Sequence, residues 1–234
     1  MNLNDEYRYR IELHAHTKPA SPCSEIPPAE LIERYKKQGY DAVVITNHFF
    51  PGMPGYGDRE RCLEGYFSDF EAACEAGRRN GIRVLLGMEI RFSENVNDYL
   101  VYGIDRAFVE ASYDALEQGL AYYYSTFKNE RNVILQAHPF RSGMELADPA
   151  CIDGVETFNM HPGHNSRVAV AARYAREHDF IVSAGTDFHH PGHEGMAALR
   201  AKELPRDSFD VARILKSRDY IFEVGGNLVL PYGQ

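Results

Sequence analysis

Tyr9-Arg10-Ile11-Glu12-Leu13-His14-Ala15-His16 (YRIELHAH) is a short apolar-centred run that gives way to two histidines. Tyr9 to Leu13 has strand character, and the strand ends at His14. In extended backbone, residues i and i+2 point to the same side, so His14 and His16 can grip one cation. Alone, an HxH is merely two exposed histidines at a strand end. The pattern gains weight because it recurs. Asp41–Thr46 (DAVVIT) runs into Asn47 and His48, and Arg83–Gly87 (RVLLG) reaches Glu89. Asn132–Gln136 (NVILQ) leads to His138-Pro139, and Gly154–Phe158 leads to Asn159. Phe180–Ala184 (FIVSA) leads through Gly185 to Asp187 and His189, again at i and i+2.

Helical patterns separate these runs. Pro27-Pro28 opens one that stops at Gly39, and another covers Arg59 to Asn80 before Gly81. A Tyr-rich helix is expected over Ser112–Lys128, with others over Ser166–His178 and Asp207–Ser217. Strands are also expected at Tyr99–Ile104 and Tyr220–Val224. This alternation predicts an α/β domain with a parallel sheet. An open sheet has one crevice at its switch point, whereas a barrel gathers every strand end at one mouth. Ligand-type residues after five strands therefore favour a barrel.

The composition agrees. A chain of 234 residues is most simply one domain, residues 1–234. A formal charge of −9 argues against broad binding to nucleic acid. Ten His beside four Cys favour a metal site of imidazole and carboxylate. The N-terminus has no apolar run of signal type, and no 18-residue apolar stretch occurs, so neither export nor a membrane partner is expected. Cys23, Cys62, Cys74 and Cys151 lack CxxC spacing and read as reduced thiols, mostly core, in a cytoplasmic protein.

The motifs carry a family resemblance. HAH (His14–His16), TNH (Thr46–His48), GME (Gly87–Glu89), HP (His138-Pro139) and GTDFH (Gly185–His189) appear in the order of the PHP family, the polymerase and histidinol phosphatase superfamily of metal-dependent phosphoesterases. The resemblance implies a distorted seven-stranded (β/α) TIM-like barrel with two or three divalent cations (Zn, Mn, Fe or Mg). It implies that His14, His16, Glu89 and Asp187 hold the first. Glu89 would bridge to a second, also held by His138, and His48 and His189 would hold a third. Two departures stand out. Asp98 occupies the place where relatives often have a further His, and is either its substitute or a solvent-facing strand start. After the HxH, SPCSE offers Cys23 or Glu25 where relatives often supply Asp or His.

The implied activity is hydrolysis of a small phosphorylated substrate, a phosphomonoester first, by metal-activated water. Arg141 in HPFR and Lys18 in HTK are candidate phosphate contacts. Asn159, His161 and His164 follow a strand and would face the same mouth, as substrate binders or, for either imidazole, as the acid that protonates the leaving group. His190 and His193 are weaker candidates, and His178 reads as surface. The Tyr122–Tyr124 run reads as half-buried helix surface. Competing readings are a nuclease or nucleotide phosphoesterase, a phosphotyrosine phosphatase, and a non-catalytic metal-binding regulatory module. A metal-dependent amide hydrolase would usually need a carbamylated Lys, and no Lys ends a strand here. The oligomeric state is not legible.

Overall fold

The computed structural model describes residues 2–232. A short helix α1 (Leu3–Glu6) precedes β1 (Tyr9–Ala15) and α2 (Pro28–Lys37). Then come β2 (Ala42–Ile45), β3 (His48–Phe49), α3 (Arg59–Asn80), β4 (Arg83–Leu86), β5 (Met88–Arg91) and β6 (Asp98–Tyr102). Two helices, α4 (Arg106–Ser112) and α5 (Leu120–Phe127), lead to β7 (Val133–Gln136) and β8 (Gly154–Asn159). The chain continues through α6 (Val168–Glu177), β9 (Ile181–Gly185), β10 (Ala197–Ala201), α7 (Ser208–Ser217), β11 (Ile221–Val224) and β12 (Asn227–Val229). No helix among the described residues is long and apolar enough to cross a membrane.

The strands form two six-stranded ladders, β12-β11-β10-β1-β2-β4 and β3-β5-β6-β7-β8-β9. The fold is α/β, but its sheets are mixed rather than parallel. β5 reaches β6 through only Phe92–Asn97, too short for a crossover, so β6 is antiparallel to β5 and to β7. β10 is antiparallel to both β1 and β11. The inversion of β6 matters for the site, because it puts the start of β6 beside the ends of its neighbours. Arg91 at the end of β5 is in register with Asp98 at the start of β6.

The expected 112–128 helix is broken. A 3-10 turn at Tyr113–Ala115 follows α4, and Gly119 at φ +81° opens α5. A Cβ on Gly119 would lie 2.2 Å from Glu94 Oε2, whose partner Oε1 accepts the Leu120 N–H at 3.0 Å. The Tyr run straddles the surface: Tyr123 is buried and stacks on Phe127, while Tyr122 is exposed. Glu89 and His48 lie within short strands, β5 and β3, rather than beyond them.

The buried core packs Leu13, Val44, Leu85, Leu100, Leu135, Val155 and Val182 together. A second cluster sits where Leu31, Ile32 and Tyr35 of α2 meet Val43, Ile45, Ala73 and Ala76. On β2 the two clusters take alternate side chains, Ala42 and Val44 against Val43 and Ile45, whereas β6 and β7 bury consecutive residues in the first cluster.

Candidate metal centre

Seven strand-end side chains converge on the Glu89 carboxylate or on its immediate neighbours. His14 Nε2 is 3.1 Å from Glu89 Oε1, and His138 Nε2 is 3.2 Å from the same oxygen. On the other oxygen, His48 Nδ1 approaches to 2.7 Å and His16 Nε2 to 3.4 Å. Asp187 Oδ1 lies 3.4 Å from Nε2 of both His14 and His16. His189 Nδ1 is 3.3 Å from the same Asp187 oxygen. Asp98 Oδ2 is 3.8 Å from His138 Nε2.

Burial makes this arrangement informative. His14, His16, Glu89, Asp98, His138 and Asp187 are all 1% exposed or less. Yet among the described residues His14 Nε2, His16 Nε2, Glu89 Oε2 and His138 Nδ1 are buried atoms with no well-aligned hydrogen bond, even where, as between Glu89 Oε2 and His48, the approach is close. Such orphans are costly, and a bound cation satisfies several at once. The donor atoms fall into groups whose members lie within 4.8 Å of one another: His14-His16-Glu89, His48-Glu89-Asp98 and His16-His48-His189. Imidazole nitrogen with carboxylate oxygen suits Zn, Mn or Fe. The residues present therefore fit divalent cations, with Glu89 shared between two groups.

Charge follows from the same crowding. Burial pushes the Glu89 carboxyl up, but His14 and His48 beside it hold it well below the usual carboxylate range. Asp187 is held down likewise, its burial outweighed by His14, His16 and His189. Burial lowers His14, yet Glu156, Asp187 and Glu89 together raise it well above an ordinary imidazole. His16 goes the other way: burial and the neighbouring His48 and His189 push it well below. A neutral His16 keeps a lone pair for a cation.

Local backbone aims these groups. His138 and Asp187 adopt φ of +30° and +53°, sparsely populated for residues with a Cβ. Such strain clusters at functional sites when surrounding bonds over-determine it. Here the His138 N–H donates to Glu156 Oε2 at 3.1 Å, and Asn159 Nδ2 donates to Asp187 Oδ2 at 3.1 Å. Gly185 lets β9 pass β1: a Cβ there would lie 2.4 Å from His14 Cβ.

Several supporting residues escaped the sequence reading. Glu156 accepts from His14 Nδ1 at 2.9 Å and from Asn159 Nδ2 at 2.9 Å, which leaves His14 Nε2 facing Glu89. Its signal was a carboxylate inside an apolar strand, the same signal that singled out Glu89. Glu12 shares the β1 face of His14. It accepts from the His14 and Thr186 N–H groups at 2.9 Å each, from Thr186 Oγ1 at 2.5 Å and from Tyr35 OH at 2.8 Å. Burial pushes it up to about 7 despite those donors. Asn47 Oδ1 accepts from the Thr17 N–H at 2.7 Å and from Ser21 Oγ at 2.9 Å, tying β2 to the loop after β1.

The other expected residues separate. Asp98 is buried, so it is not a solvent-facing strand start, and both its oxygens accept from Arg91 at 2.7 and 2.8 Å. Asn159 is committed to the protein: its Oδ1 accepts from the His161 N–H at 3.3 Å and from Ser166 Oγ at 3.1 Å. His161 and His164 stack at 4.0 Å, with His161 5.4 Å from the His189 ring. Burial lowers His161 to about 4, and burial with the Arg141 charge lowers His164. Arg141 is half-buried beside His164, and no carboxylate pairs with it among the described residues. Lys18 is exposed, and no described contact links its ammonium to Glu89. Cys62 is buried, Cys74 and Cys151 are half-buried, and Cys23 is exposed at the mouth. His178 is exposed on the surface.

The comparisons with known proteins point the same way. The family model of the PHP domain matches residues 12–225. A DNA polymerase III PolC-type from Oceanobacillus iheyensis is 28% identical over 129 residues, 54% of this chain and 8% of the polymerase. One from Clostridium perfringens is 26% identical over 149 residues, 64% of this chain and 9% of the polymerase. The chain thus spans less than a tenth of these relatives. Among solved structures, a two-domain protein from Bacteroides vulgatus, assigned a PHP-like metal-dependent phosphoesterase part, superimposes with a TM-score of 0.67 at 14% identity. That match covers 94% of this chain and 66% of the other. An amidohydrolase from Chromobacterium violaceum, with bound sulfate and no metal, gives 0.54 at 15% identity, covering 95% and 98%. At such identities these two speak for the fold, while the family model spans the motifs from Glu12 through His189: the chain belongs to the PHP domain family.

Proposed function

We propose that this chain is a metal-dependent phosphoesterase, acting first on a phosphomonoester of a small metabolite. The observation that carries the reading is the set of buried His14 Nε2, His16 Nε2 and Glu89 Oε2 atoms, without a well-aligned hydrogen bond among the described residues, converging at strand ends. In this reading His14, His16, Glu89 and Asp187 hold one cation. Glu89, His138 and Asp98 hold a second, and His48 and His189 a third. Cations bound there would supply a water nucleophile at neutral pH and offset phosphoryl charge.

The chain's own residues do the rest. Glu156 and Asn159 orient His14 and Asp187. Arg141, which has no carboxylate partner among the described residues, binds the phosphoryl oxygens by charge-assisted hydrogen bonds. His161 accepts the Gly163 N–H on Nδ1 at 3.0 Å, so its other nitrogen carries the proton when neutral. A phosphate dianion beside His161 and His164 raises both imidazoles from their lowered values, which suits either to protonate a leaving oxygen. The polymerase matches favour a second reading, a nucleotide or oligonucleotide phosphoester as substrate. The −9 charge favours the small substrate over a long nucleic acid.

Elemental analysis and a phosphate-release panel on one preparation test this. The panel takes aryl, sugar and nucleotide monophosphates, a phosphotyrosine peptide and a short oligonucleotide. Stoichiometric metal with turnover is expected, and His14→Ala should lose both. A protein that purifies with metal but releases nothing would instead be a binding module.

We also infer that the ladders close into the seven-stranded barrel of the family. Only Thr46-Asn47 separates β2 from β3, and only Gly87 separates β4 from β5. Ala15, the last residue of β1, forms a parallel bridge with Phe188, three residues beyond β9. With those pairs merged, β1 to β9 supply seven strands around one mouth.

A further inference from the structure

A small apolar pocket shares a wall with the candidate metal centre. It encloses about 50 Å³ between the loop after β1, the loop after β3 and helix α3, and His48 is one of its lining residues. His48 Nδ1 faces Glu89 Oε2 at 2.7 Å, so one side chain borders both spaces. The other walls are apolar. Pro19 and Met53 come from the two loops, and Cys62, Gly65 and Tyr66 lie at i, i+3 and i+4 on one face of α3. Burial pushes the Cys62 thiol up to about 11, so it presents uncharged sulfur at neutral pH. Tyr66 commits its hydroxyl to the Gly87 carbonyl at 3.0 Å, which leaves its ring for the pocket.

A glycine gives this pocket its meaning. Gly65 lies inside α3, where glycine is among the poorest helix formers. Packing explains Gly77 of the same helix, because a Cβ there would lie 2.7 Å from the Ile82 carbonyl oxygen and from Val84 Cγ2. Packing does not explain Gly65, whose Cβ would meet no atom within 4 Å. Its helical backbone does not require glycine either. The missing side chain has one structural consequence: it leaves the pocket open beside His48.

We propose that this pocket is a substrate subsite for a compact alkyl group carried by the leaving alcohol of the phosphoester. This rests on the phosphoesterase reading and deepens it by naming the apolar part of the substrate. One water needs about 10–15 Å³ of cavity, so about 50 Å³ takes about three to five heavy atoms. A polar group entering it would exchange water for sulfur, hydrocarbon and a ring face, which is costly. An alkyl group gains from the same exchange. The phosphoryl group lies on the Glu89 side of His48, and the alkyl group passes the imidazole to reach Met53, Cys62 and Gly65.

Methyl phosphate and isobutyl phosphate, whose leaving alcohols are of similar acidity, test the inference on the full chain loaded with metal. kcat/KM should favour isobutyl phosphate by about 10–200-fold, the worth of a filled apolar subsite. Methylphosphonate and isobutylphosphonate, which are not hydrolysed, repeat the comparison as binding by calorimetry, and the same order is expected. Gly65→Leu places an isobutyl side chain at the pocket and should abolish both preferences. Its Tm should not fall, because leucine is the better helix former. Cys62→Ala enlarges the pocket and should move the optimum from isobutyl to isopentyl phosphate. Turnover of methyl phosphate with no preference for isobutyl, or a preference that Gly65→Leu leaves intact, overturns this inference and leaves the phosphoesterase reading standing. A metal-loaded chain that hydrolyses neither ester and binds neither phosphonate overturns both.

Discussion

Gly185→Ala is the most direct probe of how β9 and β1 present the site. A Cβ at that position would meet His14 Cβ at 2.4 Å and Glu156 Oε1 at 2.8 Å. Carbon pairs settle at about 3.5–4.0 Å, so the strands must part by about 1 Å. His14 cannot recede, because it is wholly buried between Glu89, Glu156 and Asp187. Overpacking of this kind costs about 1–3 kcal/mol. In a chain of this size each kcal/mol moves Tm by about 2–4 °C, so Gly185→Ala should lower it by about 2–12 °C. The same displacement falls on the ligand geometry, where a misplacement of about 1 Å can cost about 100-fold in rate. Scanning calorimetry, elemental analysis and phosphate release on the purified variant read the three effects. An unchanged Tm with unchanged metal content would refute the reasoning, since it would mean the close approach relaxes freely.

Three further outcomes follow from other residues. Glu156→Gln removes the anionic partner of His14 Nδ1 while keeping its size, and metal titration should show affinity lower by about 10–100-fold with the fold intact. Arg141→Ala should raise KM for a phosphorylated substrate by about 10–100-fold, the worth of a charged hydrogen bond, and leave metal content unchanged. Asp210 is held well below its usual carboxyl range, chiefly by its hydrogen bond with Arg206, which outweighs burial. Its stabilisation is therefore present above the ordinary value of 3.8 and is lost as pH falls below that value toward the depressed one. Asp210→Asn should lower stability at neutral pH and make acid unfolding less steep below about pH 4, followed by urea midpoints across pH.

Much of the candidate site was legible because its converging side chains follow apolar strands, where a polar residue has few structural excuses. The period-2 rule placed His14 with His16, and Asp187 with His189. The helix Arg59–Asn80 was legible to the residue, since Asp58 caps it and Gly81 stops it. Elsewhere local signals misled. β10 (AALRA) is written in helix-forming residues and becomes a strand because it pairs with β1 and β11. The Ser112–Lys128 pattern ran on through Gly119, whose break depends on a remote Glu94. Asn159 looked like a free substrate contact, but its partners Glu156, Asp187 and Ser166 take up its amide.

By itself, then, the sequence determined which residues are chemistry-bearing and which strands deliver them, because apolar periodicity and motif spacing are local properties of the chain. Only the tertiary structure decided which of them meet. The reversal of β6 brought Asp98 to the mouth, the pairing of β3 with β5 set His48 against Glu89, and the loop from Ser21 to Glu25 tied itself to His16, His48 and His189. Those are long-range registers, fixed by the packing of two mixed sheets, and no single segment encodes them.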